Sequence, residues 1–149
     1  MPTRRIVTEE VDGRSRVQSD AKIESQYWLD DLWVATPDEP MGFDPKQDLL
    51  AVNVPPRHSL FRICYLPPDE VMRAAFAANP QDGIDAEGFH RTQTVDYVLV
   101  LDGPVELVLD EGSVIVEPGD CVVQRGTNHA WRNHGDQPIR LVAVLTGTP

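Results

Sequence analysis

A chain of 149 residues with 41% hydrophobic and 25% charged residues has the size and make-up of one globular domain able to bury a core. Its formal net charge of −11, from 13 Lys and Arg against 24 Asp and Glu, argues against nucleic acid and anionic membranes as partners, because binding phosphate needs clustered basic side chains. The first residues lead into charge rather than an apolar segment and no stretch approaches roughly 18 apolar residues, so a soluble, cytoplasmic protein is the expectation.

Residues 1–59 read as a loop-rich extension that packs on the remainder, with short candidate strands at 16–19, 32–36 and 49–54. Between them, Pro37, Pro40, Gly42 and Pro45 rule out a helix or a central strand. Tyr27, Trp28 and Trp33 need cover and are expected on the outside of the main sheet or across a dimer contact. Residues 60–66 form a strand ended by Pro67-Pro68. Residues 69–79 carry helix signals: Asp69 as capping residue, acids in the first turn, an alanine-rich body and Pro80 as a stop. Val71, Ala75 and Ala78 are expected to face the domain.

A polar loop, 81–88, then delivers the chain to a run of short strands at 95–101, 105–109, 113–116, 121–124, 129–132 and 139–145. Gly, Pro and Asp mark the corners between them, which predicts an antiparallel sandwich or barrel. No internal repeat is evident, so one barrel is expected. Cys64 and Cys121 sit in apolar strands without metal-type spacing; they read as buried free thiols, with a disulfide left open.

The chemistry concentrates between Gly88 and Asn133. Successive side chains of a strand alternate faces, so His90, Thr92, Thr94 and Asp96 share one side, continued by Val98 and Val100. An imidazole, two hydroxyls and a carboxylate in one row can line a pocket. A second histidine, His129, follows the Arg125–Asn128 turn. Trp131 shares its parity and is either a pocket wall or core. Gln124 is either an inward amide that orients a ligand or a solvent-facing turn residue, and Arg125 faces solvent. His58 and His134 lie in turn-like sequence and are expected at the surface, while the carboxylates at 81–87 read as solvated.

These two stretches resemble the paired motifs of the cupin superfamily, Gly-x5-His-x-His-x3-Glu-x6-Gly and Gly-x5-Pro-x-Gly-x2-His-x3-Asn. His90 and Gly103 match the first motif, with Thr92 where a second histidine is usual and Asp96 where a glutamate is usual. Gly119, Gly126, His129 and Asn133 match the second, with Gln124 in place of the proline and a spacing one residue shorter.

The resemblance implies an all-β double-stranded β-helix, a cupin jelly-roll barrel over 60–149, with His90 and His129 converging in its mouth. Two imidazoles with the Asp96 carboxylate would approximate a first coordination sphere for Fe, Mn, Ni or Zn. Without metal, the same three side chains would act as acid and base. Thr92, Thr94, Gln124 and Trp131 would orient the substrate, and Asn133 would shape the turn into Gly135.

The expected activity is that of a lyase or isomerase, of dehydratase or decarboxylase type, on a small organic molecule. An Fe(II)-dependent dioxygenase and a non-catalytic binding or sensing module are the alternatives. A homodimer is implied as well, and the lack of a helix-turn-helix pattern disfavours a transcription factor.

Overall fold

The computed structural model describes residues 2–23, 28–45 and 54–149. Among these residues ten strands and one helix follow in chain order: β1 (Thr3–Val11), β2 (Arg14–Ile23), β3 (Leu29–Ala35), β4 (Ser59–Leu66), α1 (Asp69–Ala78), β5 (Thr94–Val100), β6 (Val105–Leu109), β7 (Gly112–Val116), β8 (Cys121–Arg125), β9 (His129–Arg132) and β10 (Ile139–Gly147). They build a two-stranded ribbon, β1-β2, a five-stranded sheet ordered β3-β4-β10-β5-β8 and a three-stranded sheet ordered β7-β6-β9. The strand ladders are antiparallel throughout. The protein is therefore all-β with one short helix, as expected.

The two larger sheets face each other across an apolar core that includes Val98, Val100, Val105, Leu107, Val116, Leu141 and Ala143. Period-two alternation explains this directly: along β5 and β10 every second residue is buried. The core occupies the end of the barrel where β5 carries Val98 and Val100. At the other end the inward positions turn polar, with Thr94 and Asp96 on β5 and Gln124 opposite Asp96 on β8.

Several expectations need correction. Residues 3–23 are not loop-rich; they form a long hairpin whose Asp12-Gly13 turn has φ of 53° and 72°. Positive φ at both central residues matches a two-residue turn of the kind that suits the right-handed twist of its strands. β3 hydrogen-bonds to β4 and so joins the five-stranded sheet. The expected strand at 49–54 lies, but for Val54, outside the described residues, as does Tyr27.

In α1, Pro68 occupies the cap without a side-chain bond and Asp69 falls in the first turn. The buried face is Met72 with Phe76 packed on the core, while Val71 and Ala78 are exposed. Trp28 stands edge-on to Phe76 at 6.3 Å. Both cysteines are free, and Cys121 is exposed rather than buried because its β8 position faces out from the sheet.

Candidate functional site

His90 precedes β5 and His129 opens β9, so they come from segments far apart in the chain. They meet because they form a cross-strand pair: each backbone N–H donates to the other's carbonyl at 3.0 Å. Residues that exchange both bonds in this way project their side chains to the same side. The ring centroids lie 4.4 Å apart with planes inclined at 53°.

Each ring is fixed by its own backbone. Nδ1 of His90 lies 3.0 Å from the Gly88 carbonyl and Nδ1 of His129 lies 2.9 Å from the Thr127 carbonyl. A carbonyl can only accept, so both Nδ1 atoms carry the hydrogen and both Nε2 atoms present lone pairs. Burial pushes His129 down from 6.5 to about 4, and the neighbouring His90 ring adds to that fall.

Behind the rings runs the expected polar row. The Thr92 and Thr94 hydroxyls are 2.7 Å apart, and the Thr94 hydroxyl donates to Asp96 Oδ1 at 2.5 Å. All three residues are buried. Burial raises the Asp96 carboxyl above its usual range, partly offset by the Thr94 hydrogen bond and by electrostatic interaction with His90 and Arg62. Gln124 points inward: it is 4% exposed, its Nε2 donates to the Thr127 hydroxyl, and its Oε1 is buried without a partner. The sharp turn at Gly126 (φ 61°) brings this segment so close to the row that a Cβ there would sit 3.3 Å from the Thr92 carbonyl.

Trp131 packs against the core and stands edge-on to His129 at 6.3 Å. Asn133 shapes its turn as expected, donating to the Leu66 and Gln137 carbonyls and accepting from the Gly135 N–H. His134 is exposed and reaches Glu106 at 2.7 Å.

The structure adds residues that the motif reading passed over. A shallow, open depression of about 480 Å³ borders His90, lined also by Ile84, Asp85, Phe89, Arg91 and Asn128. Asp85, read as a solvated acid, organises that wall by accepting the Glu87 and Phe89 backbone N–H groups. Arg62 and Asp31 form a buried pair at 2.6 and 3.2 Å between β4 and β3. Arg62 was findable, as a lone charge on the parity of Leu60, Cys64 and Leu66 in an otherwise apolar strand.

The expected ligand set does not assemble. Among the described residues no group of three His, Cys, Asp or Glu side chains is placed to hold a metal ion. The two imidazoles are suitable donors, but the short Asp96 side chain is turned toward Thr94 and does not join them. The donor set therefore fits two nitrogen ligands and not the two-histidine, one-carboxylate centre.

Residues 78–145 match the family model for a cupin domain. Phomopsin biosynthesis cluster protein C' of Diaporthe leptostromiformis is 62% identical over 45 residues, which are 30% of this chain and 24% of that protein. The cupin-domain-containing oxidoreductase srdD of Neurospora crassa is 43% identical over 60 residues, 38% of this chain and 31% of that protein. The matches thus span about a quarter to a third of the length of these curated relatives. Among solved structures, a Cupin 2 conserved barrel domain protein from Salinispora arenicola superposes over 67% of this chain and 70% of its own, at 19% identity and a TM-score of 0.41.

Proposed function

We propose that this chain, which belongs to the cupin superfamily, binds a small oxygenated organic molecule where His90 and His129 meet and moves a proton on it. The observation that carries the reading is the pair of Nε2 lone pairs, each held in place by an Nδ1–H bond to backbone, above a buried hydroxyl and carboxyl row.

The roles divide by environment. Two imidazoles 4.4 Å apart resist carrying two positive charges, so the pair takes up one proton at a time. Burial keeps His129 neutral, which makes its Nε2 a fixed acceptor for a substrate hydroxyl. His90, beside the open depression, is the base that receives the proton, with the Asp96 carboxyl behind it. Thr94 holds Asp96 in position, while Gln124 Oε1 accepts a further hydrogen bond from the bound molecule. Proton abstraction next to a carbonyl or hydroxyl carbon begins eliminations, isomerisations and decarboxylation-type reactions alike. It also accompanies dehydrogenation, which accords with relatives named oxidoreductases.

Deuterium exchange tests this. A panel of small keto acids and hydroxy ketones is incubated with the protein in D2O and loss of the α-proton is followed by NMR. Exchange that disappears in His90→Gln supports the reading. Absence of exchange across the panel, together with no small molecule retained through purification, would sink it. Elemental analysis of the same samples decides the cofactor question: a stoichiometric metal lost in both His90→Gln and His129→Gln would replace proton transfer by the imidazoles with ligation.

A further inference from the structure

The hydrogens around the imidazole pair are spent on the protein itself. Nδ1–H of His90 is given to the Gly88 carbonyl and Nδ1–H of His129 to the Thr127 carbonyl, which leaves only lone pairs on the two Nε2 atoms. In the row behind them the Thr94 hydroxyl has one hydrogen, and it goes to Asp96 Oδ1. The 2.7 Å bond between Thr92 and Thr94 therefore uses the Thr92 hydrogen. Neither hydroxyl keeps a hydrogen for a bound molecule.

Thr127 ties a further acceptor to the pair. Its carbonyl holds the His129 ring, and its hydroxyl accepts from Gln124 Nε2. Gln124 Oε1 is left buried with no partner. A buried acceptor without a hydrogen is costly, and a ligand that brings a donor relieves it.

The cations nearby do not offset this surplus of lone pairs. Arg62 acts on Asp96 electrostatically, but its Nε and one Nη donate to the Asp31 carboxylate at 2.6 and 3.2 Å, so its charge is met inside the protein. Burial alternates from Arg91 to Asp96, with Thr92, Thr94 and Asp96 buried and Arg91 and Gln93 exposed. Arg91 thus falls on the other side of the segment from the hydroxyl row. The chain as a whole carries −11, which disfavours the approach of an anion.

We propose that the molecule bound between the rings is a neutral hydroxyl donor, a hydroxy ketone or polyol, and that carboxylates are selected against. This rests on the reading that the bound molecule sits where His90 and His129 meet. Its hydroxyl groups donate to His129 Nε2 and to Gln124 Oε1. A carboxylate brings only acceptors to a site that presents acceptors, so it gives up hydrogen bonds from water and gains none in exchange. A neutral ester without hydroxyls fails for the same reason, which separates donor count from charge.

Three probes test this with the full-length protein at pH 7: dihydroxyacetone, glycerate and methyl pyruvate, titrated while the histidine ring resonances are followed by NMR. Dihydroxyacetone is expected to bind about tenfold or more tighter than either of the others. Gln124→Met, similar in size but without the amide oxygen, should weaken dihydroxyacetone about tenfold and leave methyl pyruvate unchanged, with thermal melting showing the variant folded. Glycerate or methyl pyruvate binding as tightly as dihydroxyacetone overturns the proposal. So does a dihydroxyacetone affinity indifferent to Gln124→Met, or silence of the rings toward all three at tens of millimolar. Dihydroxyacetone bound with the expected preference but without exchange of its α-protons in D2O supports the ligand class and removes proton transfer instead.

Discussion

Lowering the pH from 7 to 5 should remove about 2 kcal/mol of folding stability through His129 alone. In the unfolded chain this imidazole titrates near 6.5, whereas burial in the barrel holds it at about 4. The folded state therefore prefers the neutral ring. As pH falls below 6.5 the unfolded chain binds a proton that the folded protein refuses, and stability is lost down to about pH 4, where the folded form protonates as well. A difference of 6.5 to about 4 corresponds to roughly 3 kcal/mol in full, of which about 2 kcal/mol is lost between pH 7 and pH 5.

The assay is urea unfolding at both pH values for the native protein and for His129→Asn. The variant keeps a side-chain N–H able to reach the Thr127 carbonyl but has no group that titrates in this range. It should be less stable at pH 7 and lose about 2 kcal/mol less than the native protein on going to pH 5. Asp96 acts in the opposite sense, its raised carboxyl contributing stability that fades as pH rises through its folded value. It is present in both proteins, so it drops out of the comparison. Equal losses in the two would refute the assignment of His129 as a neutral buried acceptor, and with it the division of roles between the two rings.

Three further outcomes follow from particular contacts. Arg62→Ala should cost about 3–5 kcal/mol in urea unfolding, because it strands the buried Asp31 carboxylate, while Arg62→Met combined with Asp31→Leu should recover most of that loss. Gly147→Ala would put a Cβ 1.9 Å from the Pro55 carbonyl oxygen, so the end of β10 must move; a loss of roughly 1–3 kcal/mol is expected, measured the same way. Cys121 should react with a thiol reagent in the folded protein at neutral pH, and Cys64, pushed up to about 11 by burial, only on unfolding; equal rates would contradict the placement of β8.

What was legible in the sequence was whatever depended on period and register. The strands from β4 onward, β7 excepted, announced themselves because one face is buried, and the corners between them need Gly, Pro or Asp; β6 and β9 run over the residues expected. The meeting of His90 with His129 came through motif spacing, and its physical basis is a cross-strand pair. Of the ribbon only residues 16–19, inside β2, were expected as strand, because neither of its faces is buried and no hydrophobic alternation marks it. Its clearest signal was the Asp12-Gly13 turn, which was overlooked.

The metal ligand set failed for a different reason, and it shows where pattern stops informing chemistry. Spacing places Asp96 on the same side as His90, and the two are near enough to interact electrostatically. Spacing does not say which partner a buried carboxyl takes, because that depends on which donor lies within reach. A carboxyl kept from water must be bonded, and the nearest donor is the Thr94 hydroxyl, on the same side two residues back. Aspartate, one methylene shorter than glutamate, takes that local bond rather than extending to the rings. Lengthening it is therefore informative: Asp96→Glu should bring a carboxylate toward the two Nε2 atoms and raise the affinity for added Zn(II) or Mn(II) above that of the native protein. Calorimetry showing equal metal binding by both proteins would mean that the length of this side chain does not decide the donor set.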